Sequence, residues 1–394
     1  MEFNPLSASV RDNPYPYYAC LRRHAPVYHV EALDCWAISR YEDVVRVLKD
    51  PQTFSSASLL TALLGDLNPL PGVPFMIGSD PPVHTRLRKL VNRAFTPRAV
   101  AEMEPRIRAI TKELIEGLAG GDEFDLVREL STPLPVIVIA EMLGVEPERR
   151  RDFKRWSDDL VAAATGFVMG EQRNRIARSM SEFRSYFEQA IETRRGHPGN
   201  DLVSALIRAE EESQALSERE ILAMTILLLI AGNETTTNLL GNAILALLDH
   251  PDEMAKVRAR PELIPNLVEE TLRYDAPVQG LFRQTTRAVE LAGRHLPAGT
   301  RIMQLYASAN RDERVFSEPD RFDVTRDASA HVAFGLGIHF CLGANLARLE
   351  ARIVLEEIFR SFAGLERKET HVERIDSFAL RGPKSLPLRF TARF

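Results

Sequence analysis

The chain has 394 residues, 45% of them hydrophobic, and a formal net charge of −5. That composition supports a large buried core, excludes general disorder, and gives no global reason to expect nucleic acid or an anionic membrane as partner. Three cysteines, Cys20, Cys35 and Cys341, are too sparse and too odd in number for a disulfide scaffold and suit a reducing compartment.

The opening residues, MEFNPLSASVRDNPYPYYACLRRH, lack the apolar core of a signal peptide or anchor, so a soluble cytoplasmic protein is expected. PVYHV and CWAISR read as a hairpin. LLTALLGDLNPLPGVPFMIG mixes helix-spaced leucines with Pro and Gly and reads as a lid over a pocket. In DPPVHTRLRKLVNRAF, His84 and Arg88 share one helical face, which by spacing alone is equally a solvated basic face. PRIRAITKELIEGLAGGDEFDL predicts an amphipathic helix stopped at Gly120 and Gly121, and RSMSEFRSYFEQAIETRRGHPGNDL predicts another ended by Gly196 and Pro198.

The run from Leu222 to Leu248 is long enough to cross a bilayer. Asn233, Glu234 and Asn238 lie at its centre, however, where a charge costs roughly 2.5–3.5 kcal/mol. A buried core helix is the better reading. Ser217 and Glu220 form a capping box at its start, and Asp249-His250-Pro251 ends it. Such a helix is a rod about 45–50 Å long. Within AGNETT, Gly232 costs a helix interior about 1 kcal/mol, and a buried Glu234 costs more without a partner. The segment therefore reads as a functional polar kink, with hydroxyl back-bonding to the helix as the plainer alternative.

Glu270 and Arg273 in EETLRYDAPV stand one helical turn apart, the spacing of an ordinary ion pair worth about 0–1 kcal/mol. AVELAGRHLPAGTRIMQLYASAN and the tail SFALRGPKSLPLRF read as short strands. The whole is mainly α with small β-sheets, without βαβ alternation, in a single domain over residues 1–394.

FGLGIHFCLG, residues 334–343, precedes the amphipathic run LGANLARLEARIVLEEIFRSF. Gly335 and Gly337 permit turns that other residues resist. Cys341 is thereby expected at a helix N-terminus, where the dipole lowers thiol pKa and favours thiolate. A thiolate there can serve as nucleophile, redox thiol or metal ligand. Protease signatures, a C-x-x-C pair and further zinc ligands are missing, and a single shielded thiolate suits the axial position of a haem iron. Cys20 and Cys35 read as buried small hydrophobes.

FGLGIHFCLG matches every fixed position of Phe-Gly-x-Gly-x-His-x-Cys-x-Gly, and in this the chain resembles the cytochrome P-450 haem-thiolate monooxygenases of the soluble bacterial type. The resemblance runs from DNPYPYYACLRRH to LRGPKSLPLRF and implies that fold, with haem b (iron protoporphyrin IX) between the long central helix and the Cys341 loop. It implies Cys341 as iron ligand, His84, Arg88, Arg283 and His339 as propionate contacts, and Glu234 and Thr235 as catalytic groups for proton delivery. It further implies a structural set of Glu270, Arg273 and Arg321. Glu234 stands where many members carry Asp.

The implied reaction inserts one oxygen atom of dioxygen into a lipophilic substrate by hydroxylation or epoxidation. Electrons would come from NAD(P)H through a separate ferredoxin or flavodoxin with its reductase, because no flavin or iron–sulfur module is visible. A peroxide-driven peroxygenase or ring-coupling enzyme, and more distantly a haem gas sensor, are the alternatives. Lys89, Arg93, Arg348 and Arg352 are candidates for a basic docking patch, or equally solvated helix faces. A monomer is expected. The implied pocket holds Leu59, Leu63, Leu67, Phe75, Leu227, Leu228, Ala231, Val278, Leu281, Phe282, Phe378 and Leu380, which suits a steroid, terpenoid, macrolide or fatty acid.

Overall fold

The computed structural model describes residues 2–57, 59, 67–68, 70–118, 121–165, 170–209 and 216–392. Its principal helices are α1 (Tyr41–Lys49), α2 (Val83–Val91), α3 (Glu104–Glu116), α4 (Pro133–Met142), α5 (Arg150–Thr165), α6 (Gly170–Gly196), α7 (Glu218–Asp249), α8 (Ile264–Tyr274) and α9 (Ala344–Ser361). The strands are β1 (Val27–Val30), β2 (Cys35–Ile38), β3 (Phe54–Ser55), β4 (Glu123–Asp125), β5 (Leu281–Thr285), β6 (Val289–Leu291), β7 (Arg294–Leu296), β8 (Arg301–Gln304), β9 (Phe362–Arg367) and β10 (Pro387–Ala392). Among the described residues they form sheets ordered β1-β2-β8-β5-β3, β4-β10-β9 and β6-β7.

The predicted hairpin is β1 with β2, antiparallel, with Val27 opposite Ile38. The alternating segment supplies β6, β7 and β8, and the tail supplies β10. Helix α3 ends earlier than expected. Gly117, the first glycine after its apolar stripe, takes the cap, and Gly121 lies beyond it. Gly120 is outside the described residues.

Helix α7 organises the molecule. Ser217 accepts from the Glu220 backbone N–H, and the Glu220 carboxylate accepts from the Ser217 N–H, which satisfies two orphan amides at once. Its 32 residues are buried along most of their length, against α4, α5, α6, α8 and α9. No helix among the described residues is long and apolar enough to cross a membrane. Helix α7 runs unbroken through Ala231–Thr236, so the polar segment does not end the helix. Side chains accommodate the polarity instead. Asn233 donates to Ser157 Oγ at 2.6 Å and Thr237 donates to Ser131 O at 3.0 Å.

The tail is pressed onto α7. Asn242 Nδ2 donates to the carbonyls of Asp275 and Arg381, at 2.8 and 3.0 Å. A side chain at Gly382 would collide with Asn238.

Below α7, Glu270 and Arg273 on α8 are fully buried. Arg273 donates twice to Glu270, at 2.7 and 2.8 Å, and also to the carbonyls of Asn310, Pro319 and Arg321. The third arginine is Arg326, whose Nε reaches Glu270 Oε1 at 3.3 Å. Arg321 offers only its carbonyl, while its half-exposed guanidinium pairs with Glu318. This corrects the expected set. Removing one member of a buried pair strands the other charge, which costs about 3–5 kcal/mol. Glu270→Ala is therefore expected to lower the unfolding free energy by that amount, read as a lower urea midpoint at unchanged slope, while Arg321→Ala leaves both unchanged.

Candidate active site

The loop before α9 turns on two glycines. Gly335 (φ 66°) and Gly337 (φ 69°) lie in the left-handed region, and a side chain at Gly337 would strike the Leu48 carbonyl on α1. One tight turn, Gly337–His339, follows. The Cys341 N–H then donates to Phe334 O at 2.9 Å, and Gly343 caps α9. Cys341 keeps accessible surface, and neighbouring Phe340 is 39% exposed.

The thiol nonetheless behaves as an enclosed group. Burial pushes its pKa up, while the Gly343 N–H, Arg88 and Arg348 pull it down. The expectation that the helix terminus would dominate is reversed, because desolvation outweighs the pull of the Gly343 N–H and the two arginines. A cationic metal at the sulfur would invert that balance. Cys35 is buried, and burial raises its thiol to about 12. Cys20 is only half-buried, against expectation.

Basic side chains converge beside this loop. His84 on α2 is 2% exposed, and neither ring nitrogen has a hydrogen-bond partner among the described residues. Its ring lies 4.3 Å from that of His339. His339 Nε2 and Ser56 Oγ are 2.9 Å apart, and Asp80 holds the Ser56 N–H at 2.9 Å. Arg88, one turn after His84, donates to Asn92, and its charge acts on Cys341. Arg283 on β5 is 4% exposed and donates to the Phe282 carbonyl at 2.8 Å. Burial, Arg283, His84 and Arg88 together depress His339 to about 3. Burial and the two arginines likewise lower His84. An imidazole so depressed is a poor base for a cysteine nucleophile. Among the described residues no cluster of His, Cys, Asp and Glu could hold a metal ion of the zinc type.

These residues fit a haem. Buried, unpartnered imidazole nitrogens of His84 and two arginines suit its paired carboxylates, and the accessible Cys341 thiol suits its iron.

On α7, Thr235 Oγ1 donates to Ala231 O at 2.7 Å, the back-bond of the plainer alternative. Its lone pairs remain free to accept. Burial raises the Glu234 pKa, the nearby Asn238 amide opposes this, Asp158 raises it further and Lys154 lowers it. Ala231 keeps accessible surface at the centre of a buried helix.

Glu350 on α9 went unread in the sequence. It is 2% exposed, and burial pushes it up to about 8 against the opposing influence of Thr236. The signal was available, because Leu346, Ile353 and Val354 set Glu350 on the apolar face of that helix.

Val278 pairs with Leu380, and the Phe282 and Phe378 rings lie 6.0 Å apart, so the segment after α8 and the tail meet as expected. Leu59, Phe75, Leu227 and Leu228 are buried, Leu67 and Leu281 are half-buried, and Leu63 lies outside the described residues, as do residues 60–66 and 69 of the expected lid. A surface cavity of about 470 Å³ beside Tyr15, Asp275 and Arg374 contains none of the expected site residues.

The expected basic patch is largely neutralised. Arg348 is forked onto Glu269, and Arg352 pairs with Glu104 and Glu356. Lys89 is exposed, and Arg93 lies in the turn after α2.

A family model described as Cytochrome P450 matches residues 7–390. The solved structure of cytochrome P450 CYP109Q5 from Chondromyces apiculatus is 46% identical, with a TM-score of 0.91 over 99% of this chain and 98% of that one. The vitamin D(3) 25-hydroxylase of Pseudonocardia autotrophica is 44% identical over 90% of this chain and 87% of its own. CYP109E1 from Bacillus megaterium, solved in complex with testosterone, is 39% identical with a TM-score of 0.87 over 96% of this chain and 99% of that one.

Proposed function

The chain belongs to the cytochrome P450 family and is a monooxygenase, and from that premise we propose that Cys341 is the thiolate ligand of a haem b whose propionates rest on His84, Arg88, Arg283 and His339. The observation that carries this reading is the buried, unpartnered His84 imidazole, set among three further basic groups near the Cys341 loop.

The haem, when bound, supplies dioxygen activation and oxidising power. The chain supplies the rest. Cys341 would hold the iron and supply it with anionic charge. Thr235 uses its hydrogen for Ala231 O and offers its lone pairs to a water that carries a proton. Glu234, held in its acid form to higher pH by burial, feeds that water. Ala231, Val278, Leu281, Phe378 and Leu380 present apolar accessible surface to a lipophilic substrate and exclude bulk water.

Relatives whose names mention vitamin D(3) and testosterone support a rigid polycyclic lipid, to be hydroxylated or epoxidised. Electrons come from NAD(P)H through a separate ferredoxin or flavodoxin, to a monomer in the cytoplasm. One observation favours the peroxide-driven alternative, the Thr235 back-bond, which is what a merely structural threonine makes. Product formed from hydrogen peroxide alone, at the rate of the reductase-driven reaction, would decide for it.

Arg88→Ala and Arg283→Ala are each expected to speed haem loss about 10- to 100-fold, as charge-assisted bonds of about 1.5–3 kcal/mol disappear. Haem transfer to apomyoglobin reads this, and unchanged rates in both variants would refute the propionate roles.

A further inference from the structure

Glu269 on α8 stands beside the structural Glu270 but faces a different task. Arg348 donates to it in a fork, Nε to Oε1 at 2.6 Å and Nη2 to Oε2 at 2.8 Å. His331 Nε2 reaches Oε2 at 3.0 Å. His331 Nδ1 accepts the Ala333 N–H at 3.1 Å, so Nε2 carries the proton and donates to Glu269. His331 is 8% exposed.

Both groups that Glu269 holds touch one side chain, Phe334. The Arg348 guanidinium lies 4.5 Å from the Phe334 ring centre, and the His331 ring lies 5.9 Å from it. The Phe334 carbonyl accepts the Cys341 N–H, and its ring meets Phe340 edge-on at 6.3 Å. A chain of contacts thus runs from a carboxylate on α8 to the backbone of the cysteine. Charge follows the same route, since Arg348 acts on the Cys341 sulfur and Glu269 is the counter-charge to Arg348.

We propose that Glu269 is a positioning residue for Cys341: it fixes Arg348 and His331 against Phe334, offsets the Arg348 charge, and so sets how readily the metal centre on Cys341 accepts an electron. This rests on the reading of Cys341 as haem ligand. Groups outside the ligand shell tune a metal by orienting its ligand and by their charge. Removing the Glu269 charge leaves the Arg348 cation uncompensated near the sulfur, which favours the reduced state. Removing the Arg348 charge does the opposite.

The test is the one-electron midpoint potential of the substrate-free holoprotein, titrated with dithionite and mediators, in the parent, Glu269→Gln, Arg348→Gln and Arg348→Lys. The expected result is an upward shift for Glu269→Gln, a downward shift for Arg348→Gln, and a near-parental value for Arg348→Lys, which keeps the charge but not the fork. A residue with only a structural role would not split the signs. Shifts in one direction for both neutral variants, or none in either, would overturn the proposal. Should Glu269→Gln hold too little haem to titrate, the arginine pair decides: equal potentials for Arg348→Gln and Arg348→Lys overturn it, and a lower value in Gln alone supports it. The carbon monoxide spectrum of each sample reads the ligand separately. A parent without the thiolate-type band means that the Cys341 reading has failed, whereas a parent with that band and unmoved variants means that only Glu269 has.

Discussion

Cys341→His is expected to give a protein that still takes up haem and forms no detectable hydroxylated or epoxidised product. The cradle of His84, Arg88, Arg283 and His339 lies outside the substituted side chain, so carboxylate binding persists and haem content falls only in part. What disappears is the anionic sulfur. A thiolate pushes electron density toward the iron and favours O–O cleavage, whereas a neutral imidazole gives the weaker donor of globins and peroxidases. Imidazole also needs more room than a thiol, on a loop where Gly337 already abuts Leu48, so some loss of haem accompanies the change. The ferric absorption spectrum and product analysis with a reconstituted reductase system read both effects. Product formation within a few-fold of the parent would mean that Cys341 is not the ligand.

The second large effect concerns protons on α7. Thr235→Ala is expected to keep reductant consumption within a few-fold while product per reductant drops sharply and hydrogen peroxide takes its place. Cys341 and the haem cradle are untouched, so electron entry continues. What is lost is the acceptor that holds a proton-carrying water in line. Glu234→Gln should slow coupled turnover by about 10²- to 10⁴-fold, the usual contribution of a positioned acid. The pH dependence has a definite sign. Burial raises the Glu234 pKa, so its acid form persists to higher pH than in free glutamate and is lost as pH rises through the raised value. Parent turnover should fall on that alkaline side, and the Gln variant should lose this limb. A fully coupled Thr235→Ala enzyme would reduce Thr235 to the helix residue that its bond to Ala231 already makes it.

The central helix was legible because its signals are local: a capping box, an apolar run of sufficient length and a Pro stop. The cysteine loop was legible for the same reason, with glycines where φ is positive and a helix directly after it. What sequence reading missed depends on partners far along the chain. Arg321 and Arg326 share one loop, and no spacing says which guanidinium turns in to Glu270. Arg348 read as a free cation because Glu269, which neutralises it, is distant in sequence, and so is Glu104, one of the two partners of Arg352; the other, Glu356, stands at the legible i,i+4 spacing. The raised thiol pKa of Cys341 follows from desolvation by surrounding tertiary structure, which a helix-terminus argument does not contain. Within and just after AGNETT, Asn233 and Thr237 place their polarity on α5 and on the segment before α4, partners that no local spacing reveals.

The account stands most directly on the carbon monoxide difference spectrum of the dithionite-reduced, unmodified protein loaded with haem. A thiolate-ligated haem gives a carbonyl band strongly red-shifted from that of globin-type haem. The account predicts the red-shifted band, retained near neutral pH and lost in Cys341→Ala. A globin-type band in freshly reduced parent protein, or a red-shifted band that survives in Cys341→Ala, would contradict it.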